Sequence, residues 1–187
     1  MSAVATISKS RAAGGTLRTV PDTTAADDHQ QYLTFMLSNE TFAVDILGIK
    51  EIIEYGHLTT VPRLPAFLRG VINLRGAVVP VIDLGARFGK HATAVTRRTC
   101  IVIVEVAGDG ERHDVGIMVD AVNAVLEIPA DRIAPPPPFG AAIRADFVAG
   151  MGKIHDQFVI ILNIDKVLSV GEMADLVGEM PRPAPPV

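Results

Sequence analysis

The chain repeats itself, and the repeat constrains the fold more than any other feature. Residues 43–53 lie over residues 116–126 when Ala43 is set on Gly116, a shift of 73. Apolar side chains then coincide at Val44/Ile117, Ile46/Val119, Ile49/Val122, Ile52/Val125 and Ile53/Leu126, and Pro62 falls on Pro135. Farther along, Phe67–Val71 lies over Phe147–Met151 at a shift of 80. That shift also pairs Leu74 with Ile154, Val79 with Val159, Val81 with Ile161, and Asp83-Leu84 with Asn163-Ile164. The difference between the shifts falls in the Pro-Pro-Pro-Pro-Phe-Gly run at 135–140, where surface loops absorb insertions. Aliphatic strands can match by chance, but paired Phe, Gly and Pro positions in one order favour a duplication.

Alternation with period two is the commoner local signal, so the repeated unit is built of strands. Leu33, Phe35 and Leu37 share one face of Gln31–Leu37, and Phe42, Val44 and Ile46 share one face of Thr41–Ile46, with Ser38-Asn39-Glu40 as the turn. Ile49–Glu54, Gly70–Leu74 and Ala77–Ile82 are further short runs, the last two joined tightly at Arg75-Gly76. Cys100–Val106 and Val115–Leu126 meet through Gly108-Asp109-Gly110, a hairpin signal. Gly150–Ile154 and Phe158–Ile164 flank His155-Asp156-Gln157. Helical turns are expected only at Leu84–Phe88, Ile164–Leu168 and Gly171–Val177. Each half thus holds about five strands and a closing turn, which suits two small five-stranded barrels in tandem with a seam between them. Pro80 cannot donate to a ladder, so an edge or bulge position is expected for it.

Residues 1–29 and the proline-rich end 171–187 read as tails, the first disordered, the second a short helix and an extended run. The body, 30–170, is expected as two intertwined subdomains, about 30–96 and 97–170. Only nine aromatic rings (seven Phe, two Tyr, no Trp) are present, so the core is expected to be mostly aliphatic. One cysteine cannot staple a fold or build a thiolate zinc site, which points to the cytoplasm. A net charge of −4 and pI of about 5.7 give no general attraction for nucleic acid. No apolar run has the length of a membrane span, and no secretory leader is evident.

Catalytic machinery is missing. His29, His57, His91, His113 and His155 stand singly, without metal-ligand spacing. Cys100 has no nearby base, and Gly150-Met151-Gly152-Lys153 lacks the remainder of a phosphate loop. Asp45, Asp83 and Asp120 fall at strand ends, where turn and capping duties explain them. No cofactor is implied. What remains is binding through surface shape, of an apolar helix or a neighbouring barrel edge.

The residues Phe42–Ile46, Ile49–Ile52, Val61-Pro62, Phe67–Gly76 and Val78–Leu84, continued by Val115–Asp120, Val122, Val125-Leu126 and Phe147–Gly152, resemble the CheW family of chemotaxis coupling proteins. The resemblance spans about Gln31 to Leu168. It implies two SH3-like barrels and a non-catalytic adaptor in two-component signal transduction. Its partners would be the cytoplasmic tips of chemoreceptors and the regulatory domain of the histidine kinase CheA, with further CheW copies in the rings of receptor arrays. Neither nucleic-acid binding nor membrane insertion is implied. Carried over by position, the partner-binding residues would be Ile49, Glu51, Ile52, Gly70, Arg75, Gly116, Val122 and Val125, with an ion pair between Glu51 and Arg75. Kinase contacts would fall near Val115–Val119 and on the first barrel. Ile49, Ile52, Val122 and Val125 also suit plain core positions. A coupler of a non-flagellar pathway, or a β-barrel peptide- or nucleic-acid-binding module, are the alternatives.

Overall fold

A computed structural model describes residues 29–136, 143–169 and 171–172. Apart from His29 and residues 171–172, the expected tails lie outside them, as do most of the 171–177 helix and residues 137–140 of the proline run. Eleven strands are present among the described residues: β1 (His29–Leu37), β2 (Glu40–Asp45), β3 (Ile49–Glu54), β4 (Leu68–Leu74), β5 (Ala77–Asp83), β6 (Cys100–Gly108), β7 (Glu111–Val119), β8 (Ala121–Pro129), β9 (Ile133–Ala134), β10 (Val148–Ile154) and β11 (Gln157–Leu162). Two short helices, α1 (Leu84–Arg87) and α2 (Ile164–Val167), follow β5 and β11.

The strands form two sheets, in the orders β3-β6-β7-β5-β4 and β8-β1-β2-β11-β10-β9. Both follow one plan. β6 and β7 stand in the first sheet where β1 and β2 stand in the second, and β3, β5 and β4 correspond to β8, β11 and β10; β9, beside Met151 of β10, answers to the single bridge of Thr59 with Val71 of β4. Irregularities of the ladders repeat as well. The β3–β6 register skips Lys50 and the β8–β1 register skips Asn123, positions equivalent at the shift of 73. The β4–β5 register skips Arg69 and the β10–β11 register skips Ala149, equivalent at the shift of 80. Matching bulges are conformational features that a chance likeness of aliphatic residues would not reproduce.

The sheets do not divide between residues 96 and 97. Each half of the sequence gives its first hairpin to the other half's sheet: β1–β2 joins β8, β10 and β11, and β6–β7 joins β3, β4 and β5. The chain changes sheets at Ile46–Gly48, a 3-10 turn, and again at Asp120, so the run expected over Val115–Leu126 is two strands in different sheets. Asp45 caps the first crossing by accepting from the Leu47 N–H at 2.8 Å, and Asp120 accepts from the Ser38 N–H at 2.8 Å. All four hairpins turn through two residues of positive φ, Ser38-Asn39, Arg75-Gly76, Asp109-Gly110 and His155-Asp156. That geometry matches the right-handed twist of the strands it joins.

The exchange explains the distribution of the core. Ile101 and Ile103 on β6 join Ile72, Val79, Val81 and Met118 inside the first barrel, while Val102, Val104 and Val106 point to the seam. On β2, Ala43 faces the second barrel with Ile128, Val159 and Ile161, while Phe42 and Val44 face the seam. The hairpins that change sides are therefore buried on both faces, which is why β6 reads as a continuous apolar run. The barrel interiors are aliphatic, as expected, but the aromatics are not evenly sparse. Phe35, Phe42, Phe88 and Phe147 form a chain through the seam, with ring centroids 6.0, 5.8 and 6.0 Å apart. Beside Phe147, the nearly buried Arg87 of α1 lies over the Phe67 and Phe147 rings and donates through Nε to the Val167 carbonyl of α2, joining the two closing helices.

Pro80 corrects the expectation made for it. β5 is flanked by β4 and β7, and the bulge beside it lies on β4. Val71, which faces Pro80, spends its own N–H and C=O on Thr59, each bond 2.9 Å. The missing proline N–H therefore faces β7, whose ladder begins only at Val81.

Candidate partner-binding surface

Strands β3 and β8 each close one end of their sheet and occupy equivalent places in the duplication. Both expose one aliphatic side chain and partly bury another. Ile49 and Val122 pack against the seam cluster, while Ile52 and Val125 are 44% and 46% exposed. The bulges bring this about. Because Lys50 and Asn123 each take an extra place, Ile49 and Ile52, or Val122 and Val125, fall on the seam-facing side of their strands, opposite Val104 and Val102, or Phe35 and Leu33. Fully burying an aliphatic side chain is worth about 1.5–3 kcal/mol, so covering the exposed half of Ile52 or Val125 offers about 1 kcal/mol each. The duplication thus presents the same aliphatic edge twice.

Glu51 and Arg75 do pair: Arg75 Nη2 stands 2.8 Å from Glu51 Oε2. Arg75 occupies the first turn position of the β4–β5 hairpin, with φ 51°, and Asn73 holds the turn by accepting from the Gly76 N–H at 2.9 Å. The pair ties the edge strand β3 to that turn. With the Arg75 side chain 80% exposed, its contribution to stability is small, about 0–1 kcal/mol.

Two of the expected site residues lie elsewhere. Gly116 is buried in β7, and a Cβ there would meet Ile101 Cγ2 at 2.8 Å inside the first barrel. Gly70 is buried with φ 151°, and a Cβ would lie 2.3 Å from the Thr59 carbonyl oxygen. Both glycines allow close packing; neither offers a surface to a partner. The kinase contact expected near Val115–Val119 meets the same objection, since all five residues are buried between β6 and β5. Residues that sequence reasoning passed over include Leu47, 87% exposed on the turn that precedes β3, and Lys50 in the bulge. Leu47 borders a cleft of about 450 Å³ between the sheets, lined also by Val104, Glu105, Arg112 and Ile164. No sequence signal distinguishes either residue, because a bulge shifts side chains without altering the apolar pattern around it.

Among the described residues no three His, Cys, Asp or Glu side chains come together as they would around a metal ion. No helix among them is long and apolar enough to cross a membrane. Asp83, the one fully buried carboxylate among the described residues, is occupied structurally: it accepts from Thr93 N–H and Thr93 Oγ1, both at 2.8 Å, and caps α1 through the Ala86 N–H.

The family model for the CheW-like domain matches residues 31–172. The chain is 37% identical over 145 residues to the chemotaxis protein CheW of Klebsiella aerogenes, covering 78% of this chain and 85% of that one. It is 31% identical over 150 residues to CheW of Thermotoga maritima (78% and 93%) and 30% identical over 145 residues to the protein FrzA of Myxococcus xanthus (76% and 88%). Among solved structures, the scaffolding protein TtCheW of Thermoanaerobacter tengcongensis superposes with a TM-score of 0.67 at 35% identity, covering 74% of this chain and 87% of that one.

Proposed function

The chain belongs to the CheW family, and from that premise we propose that it couples the cytoplasmic tips of chemoreceptors to the regulatory domain of the kinase CheA. As a member of that family it is a chemotaxis scaffold and not an enzyme. The proposal concerns its partners and the surface that meets them. The receptor helix packs on Ile49 and Ile52 of β3 and on Val122 and Val125 of β8, with the Glu51–Arg75 pair shaping one border. The protein works in the cytoplasm and reaches the membrane only through its partners.

One observation supports this reading above the others: the same aliphatic pair, one side chain packed on the seam and one about half exposed, flanks equivalent bulges of the edge strands β3 and β8. Core packing alone gives no reason for it. The test is co-sedimentation of the full chain with membranes or nanodiscs carrying the receptor and with the cognate CheA. Wild type is expected to form a ternary complex, and Ile52→Asp and Val125→Asp to lose receptor binding while remaining folded. No ternary complex with folded wild-type protein would refute the coupling role. Unimpaired binding by both variants would refute the surface.

A further inference from the structure

Lys50 is the extra residue of the β3 bulge, standing between Ile49 and Glu51. Its ammonium reaches across two strands: Nζ lies 3.3 Å from Glu105 Oε1 on β6 and 2.7 Å from Asp114 Oδ1 on β7. Glu105 and Asp114 face one another in the β6–β7 register, so each carboxylate sits beside a like charge that a cation must neutralise. Arg112 Nη1 helps, 2.9 Å from Glu105 Oε2. The bonds to Asp114 and then Glu105 hold the Lys50 ammonium above its ordinary range, and those from Arg112 and Lys50 hold the Glu105 carboxyl below its own.

The duplication supplies an internal comparison. The equivalent bulge on β8 carries Asn123, whose side chain makes no hydrogen bond among the described residues. The bulge therefore forms without an ionic anchor, and the fold does not explain the lysine. What Lys50 adds is specific to β3. It ties the strand inward to β6 and β7, while its neighbour Glu51 ties it the other way, to the β4–β5 turn through Arg75. Two adjacent residues with opposite charges thus hold an outer strand from both sides. An outer strand has a ladder partner along one side only, so without such ties it is the part of a sheet that opens most readily.

We propose that Lys50 is a positioning residue for the receptor-facing edge: held between Glu105 and Asp114, it fixes the β3 bulge and so the direction in which Ile49 and Ile52 are presented. This rests on the reading of that edge as the receptor surface. Lys50 need not touch the receptor; it acts through the strand it belongs to. Asp114 shares the role from β7, away from the edge.

The experiment compares full-length wild type, Lys50→Met, Lys50→Arg and Asp114→Asn. Receptor-fragment affinity is read by calorimetry, amide exchange of β3 and β8 by NMR, and stability by urea denaturation. Lys50→Met and Asp114→Asn are expected to weaken binding about tenfold and to speed exchange of the β3 amides bonded to β6 about tenfold. Exchange in β8 and the urea midpoint stay near wild type, and Lys50→Arg retains both binding and protection. Wild-type β3 exchange in Lys50→Met, or full affinity beside normal wild-type binding, overturns the proposal. A loss confined to Lys50→Met, with Asp114→Asn behaving as wild type, also overturns it, since that is the result for direct contact. If wild type itself fails to bind the fragment, the receptor surface falls, and the positioning role falls with it.

Discussion

Replacing Gly70 by alanine separates two accounts of that residue, one as a partner contact and one as a packing position. Its φ of 151° belongs to a region essentially reserved to glycine, and forcing another residue there costs about 1–3 kcal/mol. The added Cβ would also lie 2.3 Å from the Thr59 carbonyl oxygen and 3.0 Å from its carbon. These are backbone atoms, so Thr59 must retreat, and with it go two 2.9 Å hydrogen bonds to Val71. Each is worth about 0.5–1.5 kcal/mol net. Together the terms give a loss of about 2–6 kcal/mol, a large share of the roughly 5–15 kcal/mol of an ordinary domain. The duplication provides the control. Gly150 has an ordinary φ, and its Cβ would meet chiefly the movable Ile133 Cγ2 at 2.6 Å, with the Ala134 carbonyl at 3.2 Å. Overpacking of that kind costs about 1–3 kcal/mol. Urea denaturation of Gly70→Ala and Gly150→Ala beside wild type measures the difference. A Gly70→Ala protein as stable as wild type, and deficient only in receptor binding, would refute the packing account.

Reversing either charge of the Glu51–Arg75 pair should weaken receptor binding, and the double reversal should restore it, with stability changing by no more than about 1 kcal/mol throughout; failure of the double variant to recover refutes a role for the pair. Asp83→Asn should cost about 1–3 kcal/mol, because an amide offers one oxygen where Thr93 and Ala86 present three donors, leaving a buried donor unpaired. Thermal melting would show it as a fall of several degrees. Asp146 is held below the ordinary carboxylate range by Arg144. In Glu172 burial acts to raise the value, but the bonds from Arg144 and Arg87 outweigh it. Because both values are depressed in the folded state, their contribution is present above about pH 4–5 and is lost as pH falls through the folded values. The acid-induced loss of stability should therefore be shallower in Arg144→Ala, as read by urea midpoints at pH 7 and pH 3.5.

Much of this was legible in the sequence because it is local. Alternation located most of the strands to within a few residues, though not β9 or the separation of β7 from β8, and the turn residues marked all four hairpins. The repeat ordered Ile49 with Val122 and Ile52 with Val125 before any strand was paired. What stayed hidden is non-local. Periodicity says that Phe42 and Val44 share a face, but not whether β2 pairs with its own half or the other, so which hairpins the intertwined halves exchange could not be read. The break at Asp120 was concealed by the apolar residues on both sides of it, although its repeat mate Leu47 lies at the corresponding crossing. Pro80 was misplaced because one tolerant position inside a flanked strand, opposite a register gap, leaves no trace in composition. Gly70 and Gly116 are expected as partner contacts and lie buried, because a family pattern does not say whether a glycine touches a partner or makes room for a neighbour.

The exchange of hairpins bears directly on what a scaffold needs. The two edge strands that carry the surface pairs are each paired to a strand from the other half of the sequence: β3 with β6, and β8 with β1. The residues opposite the surface pairs, Val102 and Val104 beneath β3 and Leu33 and Phe35 beneath β8, belong to one cluster in the seam. Neither edge can shift alone without disturbing packing that also supports the other, since close-packed interiors transmit displacement. Two independent barrels on a linker would present the same four aliphatic side chains at a variable spacing and would lose orientational entropy on engaging one helix. Here the folding free energy has already met that cost. Preorganisation of this kind favours affinity without added contact area, and it also lets a displacement at one edge be felt at the other. The coupling role proposed above, which relates receptor to kinase by geometry alone, requires both.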